Sequence, residues 1–208
     1  MNNSRTIVYI VDDDVSVCRA LSLLLKAHGF KAQAFTRSAD FLACKHQKAP
    51  SCLLLDIRLP DINGLALQDA MAERKLTIPI IFITGHGDIP MSVRAMKAGA
   101  VDFLPKPLTE KKLLNAIMLA ISKNRTENKK QAQIRKIQRH IEALTPREQE
   151  VFRLVAKGML SKQVARKLGT TLQTIKVHRG RVMQKMQAKT VTELIHFAQK
   201  TGLISPQR

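Results

Sequence analysis

Short apolar runs alternate with longer amphipathic segments throughout the first 120 residues. Three of these runs, at 7–11, 52–55 and 78–83, are almost continuously apolar. Strands of this composition are buried on both faces, which is typical of a parallel sheet with helices on each side. The pattern predicts five strands, at 6–11, 31–35, 52–55, 79–83 and 101–104. Five strand–helix units of this kind predict a doubly wound α/β domain.

Helix signals agree with this alternation. Asn63 and Gly64 form a turn before the third helix. Asp88 is placed to cap the helix that carries Pro90, and Thr109 is placed to cap the last helix. The predicted helices span 15–28, 38–45, 65–74 and 89–98, and a fifth begins after residue 109.

The charge balance of the chain changes near residue 121. Residues 121–208 contain 20 Lys and Arg against five Glu and no Asp, whereas the first 120 residues contain 15 against 11. A solvated basic surface explains short charge runs, but it is a weaker explanation over a whole half of the chain. Membrane binding would favour more aromatic residues than Phe152 and Phe197. The basic half therefore favours nucleic acid as its partner.

This basic half is predicted to be entirely helical. Residues 122–143 form a basic linker, and Ile134, Ile137 and Ile141 recur in it at helical spacing. Four short helices then follow. Thr145 with Pro146 and Glu148 begins the first and Gly158 ends it; Ser161 caps a second that stops at Gly169, Thr171 or Thr170 caps a third, and Thr190 with Glu193 caps a fourth. The predicted domains are 1–121, 122–143 (the linker) and 144–208.

Carboxylates are expected to converge at one edge of the sheet. If the strand order is 2-1-3-4-5, ligands bind beyond the carboxyl ends of strands 1 and 3. Strand 1 leads into Asp12, Asp13 and Asp14, and strand 3 ends at Asp56. Like charges this close repel one another unless a cation lies among them, and Mg²⁺ is a natural occupant of such a site.

Thr84 and Lys106 follow strands 4 and 5 at the same edge. A carboxylate, a metal ion, a hydroxyl and an ammonium group together suit phosphoryl transfer, with Asp56 as the nucleophile. Each residue alone has an ordinary explanation, such as an aspartate that caps the first helix or a surface lysine. Their occurrence at four strand ends favours a functional site.

Four motifs at these strand ends resemble those of response-regulator receiver domains, and the run from Gly85 to Phe103 resembles the FixJ-like subfamily. The resemblance covers residues 5–120 and implies the order 2-1-3-4-5. It implies that Asp56 accepts phosphate from a sensor histidine kinase, that Lys106 contacts the phosphate, and that a cis bond precedes Pro107. The implied Mg²⁺ ligands are Asp12, Asp13, Asp56 and the carbonyl of Arg58, and the implied switch pair is Thr84 and Phe103. The motifs are Ile10-Val11-Asp12-Asp13-Asp14, Leu55-Asp56-Ile57-Arg58-Leu59-Pro60, Ile83-Thr84-Gly85-His86-Gly87-Asp88 and Asp102-Phe103-Leu104-Pro105-Lys106-Pro107.

The third helix of the basic half carries an apolar face and a polar stripe. The apolar face is predicted to contain Leu172, Ile175, Val182 and Met186, with His178 packed beside them. Lys, Arg and Val side chains can contact guanine edges, phosphates and thymine methyl groups, so the stripe suits a major groove. Its members are Gln173, Lys176, Val177, Gly180, Arg181 and Gln184, and Arg179, Lys185 and Lys189 are expected to contact phosphates. Gly180 is explained equally well by a close approach to a partner or by simple tolerance.

Residues 144–202 resemble a LuxR-type helix-turn-helix. The resemblance rests on 144–151, 158–168 and 174–186. It implies that the second helix supports the third, that the third enters the major groove, and that the fourth offers a dimer surface.

The two resemblances imply a phosphorylation-controlled transcription regulator of a two-component system, not a turnover enzyme. The implied partners are a sensor histidine kinase, double-stranded DNA, a second copy of the chain and RNA polymerase. A phosphatase with an aspartate nucleophile is one alternative, but Arg58 stands where such an enzyme needs a second carboxylate. A constitutive DNA-binding dimer is another, and the complete acidic site argues against it. The linker is either one long helix or a tether that lets the receiver cover the recognition helix.

A cytoplasmic location without membrane attachment is expected. The longest stretch without a charged residue, 76–87, has 12 residues, whereas a membrane span needs ~20 apolar residues. Cys18, Cys44 and Cys52 form no C-x-x-C pair, and we expect them to be reduced, buried thiols.

Overall fold

The structure is a computed structural model that describes residues 6–47, 49–85 and 89–205. It divides into two compact units, 1–128 and 129–208. We describe each unit by itself.

Unit 1 is built on a five-stranded parallel sheet, as the apolar runs predict. The strand order is β2-β1-β3-β4-β5, which confirms the predicted order. Four predicted strands differ from the observed ones by one residue at one or both ends, and the second agrees. The strands are β1 (Ile7–Val11), β2 (Lys31–Phe35), β3 (Ser51–Asp56), β4 (Ile80–Thr84) and β5 (Asp102–Pro105).

Both faces of this sheet are buried because alternate side chains of the central strands point to opposite sides. Val8 and Ile10 belong to one core, whereas Tyr9 and Val11 belong to the other. Helices cover both faces, as expected for continuously apolar strands. They are α1 (Val15–Ala27), α2 (Ser38–Ala43), α3 (Gly64–Glu73), α4 (Ile89–Lys97) and α5 (Glu110–Glu142).

Helix caps in unit 1 follow the local sequence in two cases. The carboxylate of Asp14 accepts hydrogen bonds from the first-turn N–H groups of α1, and the Asn63 side chain accepts one at the start of α3. α2 is capped from a distance, since Asp61 accepts hydrogen bonds from Ser38 and the Ala39 N–H. The predicted cap Asp88 lies outside the described residues.

Helix α5 takes in most of the predicted linker. Asn124 is buried in unit 1, where its side-chain oxygen accepts a 3.0 Å hydrogen bond from the Ser51 N–H. Ile137 is buried in the core of unit 2, and Ile141 packs against that core. Residues on both sides of 128 therefore contribute to the packing of a unit.

Unit 2 contains four further helices around one apolar core, as predicted. Thr145 and Glu148 form the predicted capping box, and Thr171 caps the third helix. Ser161 was expected to cap the second helix, but it is that helix's first residue, and the Gln163 side chain instead accepts from the Leu160 N–H. The helices are α6 (Pro146–Ala156), α7 (Ser161–Lys167), α8 (Leu172–Lys185) and α9 (Val191–Lys200).

Two burial predictions need correction. Leu172 was predicted on the packed face of α8, but it is 42% exposed because it lies at the first turn, ahead of the buried Ile175 and Val182. Cys18 and Cys52 are buried free thiols, whereas Cys44 is only half-buried. No helix within the described residues has the length and apolar character needed to cross a membrane.

Candidate functional sites

The acidic site lies where β1 and β3 end side by side. Val11 pairs with Leu55 in the sheet register, so the residues that follow, Asp12 and Asp56, meet at the same edge. One carboxylate oxygen from each of Asp12, Asp13 and Asp56 lies within 4.8 Å of the others. Asp12 and Asp56 are buried, whereas Asp13 is exposed. Three converging carboxylates are the kind of donor set that Mg²⁺ takes, so these residues fit the implied metal.

Lys106 neutralises part of this charge. Its Nζ lies 2.8 Å from Asp12 Oδ2 and 2.7 Å from Asp56 Oδ2. The loop after β5 holds it there, because the Lys106 N–H donates a 2.7 Å hydrogen bond to the Thr84 carbonyl and the Lys106–Pro107 bond is cis.

The pKa values in this cluster reflect burial opposed by pairing. Burial raises the pKa of Asp12, and hydrogen bonds from Lys106 and the Asp14 N–H offset only part of that rise. Burial alone would lower the pKa of Lys106, but its hydrogen bonds to Asp12 and Asp56 raise it overall. The ammonium group is therefore held in its charged form beside both carboxylates.

Backbone groups fix the carboxylates in place. The Arg58 N–H donates a 3.0 Å hydrogen bond to Asp56 Oδ1, and the Asp14 N–H donates one of 3.0 Å to Asp12 Oδ1. Arg58 thus turns its backbone towards the site, while the metal-binding role of its carbonyl stays a prediction.

Gly64 contributes to the site in a way that the sequence reading missed. A Cβ at this position would lie 2.5 Å from the Asp56 carbonyl oxygen and 3.0 Å from Ile57 Cα. Only glycine therefore allows the start of α3 to pack directly behind the end of β3. The Asn-Gly dipeptide was the available signal, but it was interpreted only as a turn.

The two predicted switch residues lie near this edge. Thr84 is fully buried at the end of β4. Phe103 of β5 is half-buried, and its ring centroid lies 6.3 Å from that of Phe82. The structure thus places Thr84 beside the Lys106 loop and Phe103 on the neighbouring strand.

Helix α8 of unit 2 carries the predicted DNA-binding stripe on its solvent side. Ile175, Val182 and Met186 are buried in the core beneath it. A Cβ at Gly180 would meet no atom within 4 Å, so nothing within unit 2 requires glycine there. The exposed members of the stripe are Gln173, Lys176, Val177, Gly180, Arg181 and Gln184.

Two cations that were predicted to contact phosphates are engaged within unit 2. Lys185 Nζ lies 2.7 Å from a carboxylate oxygen of the buried Glu148 and also donates to the Ala143 carbonyl. The Lys185 hydrogen bond, with a second from the Thr145 N–H, lowers the pKa of Glu148 to about 2. Arg179 is half-buried and donates a 3.2 Å hydrogen bond to Ser161 Oγ. Lys185 and Arg179 therefore hold the start of α6 and α7 against α8.

Comparison with protein families identifies both units. Residues 8–118 match the response regulator receiver domain family, and residues 142–198 match the luxR family of bacterial regulatory proteins. Together these matches span most of the chain.

Similar proteins and solved structures extend over nearly the whole chain. It is 43% identical over 201 residues to Nodulation protein W of Bradyrhizobium diazoefficiens, covering 97% of this chain and 88% of that protein. It is 42% identical to Response regulator protein TmoT of Ectopseudomonas mendocina, covering 96% and 91%. The solved structure of Response Regulator StyR is similar with a TM-score of 0.81 at 40% identity, covering 94% of this chain and 99% of that one. Full-length FixJ from B. japonicum has a TM-score of 0.55 at 34% identity, covering 96% and 98%.

Proposed function

The chain belongs to the two-component response regulators that join a receiver domain to a LuxR-type DNA-binding domain, and on that premise we propose that phosphorylation of Asp56 controls its binding to DNA. Members of this family are transcription regulators that histidine kinases phosphorylate, not turnover enzymes. The observation that carries the proposal is the convergence of Asp12, Asp13, Asp56 and Lys106 at the end of β1 and β3.

Phosphoryl transfer is proposed to start from Asp56. One of its carboxylate oxygens attacks the phosphorus of a kinase phosphohistidine, a P–O bond forms, and the P–N bond to the histidine breaks. Lys106 already lies 2.7 Å from Asp56, so its ammonium can follow the charge onto the phosphoryl oxygens.

The metal is proposed to be Mg²⁺, held by Asp12, Asp13, Asp56 and the backbone carbonyl of Arg58. When bound there, it would offset the negative charge of the carboxylates and the phosphoryl group. Asp13 suits this role because it is exposed and is not paired with Lys106.

The switch is proposed to run from Thr84 to α4. A phosphoryl group on Asp56 adds roughly two negative charges, which draw the Thr84 hydroxyl inward and let Phe103 follow. The exposed apolar residues Ile89, Val93 and Met96 of α4 then belong to a surface that pairs with a second copy. A homodimer binds two half-sites at once, which raises its apparent affinity for DNA.

Base reading is proposed for α8. Gln173, Lys176, Val177, Gly180 and Arg181 form the exposed part of the stripe, and they suit the major groove. We leave Lys185 out of the contact set because Glu148 holds its ammonium group. RNA polymerase is the further partner that a transcription regulator on DNA would meet, and the cytoplasm is the compartment that holds it.

The proposal is tested with a phosphodonor and light scattering. The chain is incubated with acetyl phosphate and Mg²⁺, and the mass of the intact protein is compared with that of Asp56→Asn. Beryllofluoride with Mg²⁺ is then used as a phosphate mimic while the solution mass is measured. We expect one phosphoryl group and a dimer for the unchanged chain, and neither for Asp56→Asn.

Asp40→Asn is the matched control, because Asp40 is exposed in α2 and lies outside the cluster. It should behave as the unchanged chain does. Phosphorylation that persists in Asp56→Asn would contradict Asp56 as the acceptor. A phosphorylated chain that stays monomeric would contradict the dimer switch but not the acceptor.

A further inference from the structure

A run of exposed cations lies on α5 within unit 2. Residues 129–139 contain five Lys and Arg and no Asp or Glu. All five are exposed, and among the described residues none forms a salt bridge. They are Lys129, Lys130, Arg135, Lys136 and Arg139.

Four of the five cations face away from the core of unit 2. A helix turns by about 100° per residue, so Lys129, Lys136, Arg135 and Arg139 lie roughly 100–180° around α5 from the packed Ile137 and Ile141. Arg135 and Arg139 are four residues apart, and like charges at that spacing weaken a helix slightly. The helix carries this repulsion without an acidic partner in the described part of the chain.

This segment of α5 ends beside the proposed DNA-reading helix. The Lys185 ammonium group at the end of α8 donates a 3.3 Å hydrogen bond to the carbonyl of Ala143, which directly follows α5. Arg139 precedes Ala143 by one helical turn, and Arg181 precedes Lys185 by one turn. With ~6 Å per turn and one Lys side chain between them, the path from Arg139 to Arg181 is roughly 20–25 Å, or about seven base pairs.

We infer that the exposed cations of α5 bind DNA phosphates that flank the stretch read by α8. This inference rests on the proposed function of α8. A polyanion complements a surface of four cations with no acid, and phosphate contacts fix the position of a module on the duplex without reading its sequence. The segment described as a linker is then part of the DNA interface.

Binding of the full chain to a mixed-sequence 40-base-pair duplex (a length of about four helical turns) at a series of salt concentrations tests the inference. The test variant is Arg135→Gln, Lys136→Gln and Arg139→Gln, since glutamine keeps the helix propensity. Each lost phosphate contact should lower the slope of log K against log salt by about 0.9. We expect a slope lower by about 2 and roughly 30-fold weaker binding at 0.15 M salt.

Two controls separate the possible outcomes. Lys31→Gln, Lys111→Gln and Lys112→Gln remove three exposed cations from unit 1, and the slope should stay unchanged. Lys176→Gln with Arg181→Gln should weaken binding whether or not α5 takes part. An unchanged slope in the α5 variant, with weakened binding in the α8 variant, would overturn the inference but not the proposed function. Equal losses in the α5 and unit 1 variants would overturn it in favour of overall charge. No binding of the unchanged chain would overturn both.

Discussion

The two units use charge in opposite ways. In unit 1, two buried carboxylates and one exposed carboxylate converge, and Lys106 bridges the buried pair. In unit 2, the cations of α5 and most of those on α8 are exposed and have no acidic partner among the described residues. Concentrated buried charge supports bond-making chemistry but depends on each partner, whereas dispersed exposed charge can bind a polyanion at little cost in stability.

The largest expected effect comes from removing the cation of the acidic site. Lys106→Met leaves Asp12 and Asp56 without their shared counter-charge, because both carboxylates are almost fully buried. Breaking such a pair from one side should lower the free energy of unfolding of unit 1 by about 3 kcal/mol in metal-free buffer. Urea unfolding followed by Tyr9 fluorescence measures this, since Tyr9 is the only tyrosine and the chain has no tryptophan.

Lys112→Met is the matched control for that variant. Lys112 is exposed on α5 of unit 1 and forms no salt bridge among the described residues. Its loss should change the unfolding free energy by less than about 0.5 kcal/mol. If Lys106→Met cost no more than Lys112→Met, the interpretation of Lys106 as a stabilising bridge would be wrong.

Unit 2 contains one exception to its pattern of exposed charge, the buried Glu148 that pairs with Lys185. Its pKa of about 2 lies below the unfolded value of roughly 4.3, so the folded state holds fewer protons on this group. The stability from this pair is therefore complete above pH ~4.3 and is lost as the pH falls towards 2. Glu148→Gln should destabilise unit 2 at neutral pH by about 2 kcal/mol, which allows for the partial exposure of Lys185.

Far-UV circular dichroism of urea unfolding at pH 7 and pH 3 measures this difference. The gap between Glu148→Gln and the unchanged chain should be large at pH 7 and small at pH 3. Glu150→Gln serves as the control, because Glu150 is half-exposed in its pair with Arg147, and it should have little effect at either pH. An equal gap at both pH values would show that Glu148 acts through packing and not through its charge.

The same contrast explains what the sequence could predict. Strand order, the helices and the converging aspartates follow from local patterns, namely continuous apolar runs and polar residues at strand ends. Asp61 as the cap of α2 and Lys185 as the partner of Glu148 do not, because the two residues of each pair lie more than 20 positions apart. Gly64 could not be interpreted fully either, since its proximity to Asp56 exists only once α3 packs against β3.

Gly180→Ala should produce the smallest change in stability and a larger one in binding. Gly64 has backbone atoms where a Cβ would lie, but Gly180 faces open space within unit 2. Alanine should therefore stabilise α8 by about 0.5–1 kcal/mol, measured as a higher Tm. A helix that keeps glycine with no internal reason is explained if its backbone approaches DNA closely, so the same variant should bind duplex DNA at least about tenfold more weakly, the cost of roughly 1.4 kcal/mol. Thr192→Ala, on the exposed side of α9, should raise the helix propensity without changing DNA affinity. If Gly180→Ala raised the Tm and left DNA affinity intact, glycine would be merely tolerated at this position, and the base contacts of α8 would have to come from Lys176, Val177 and Arg181.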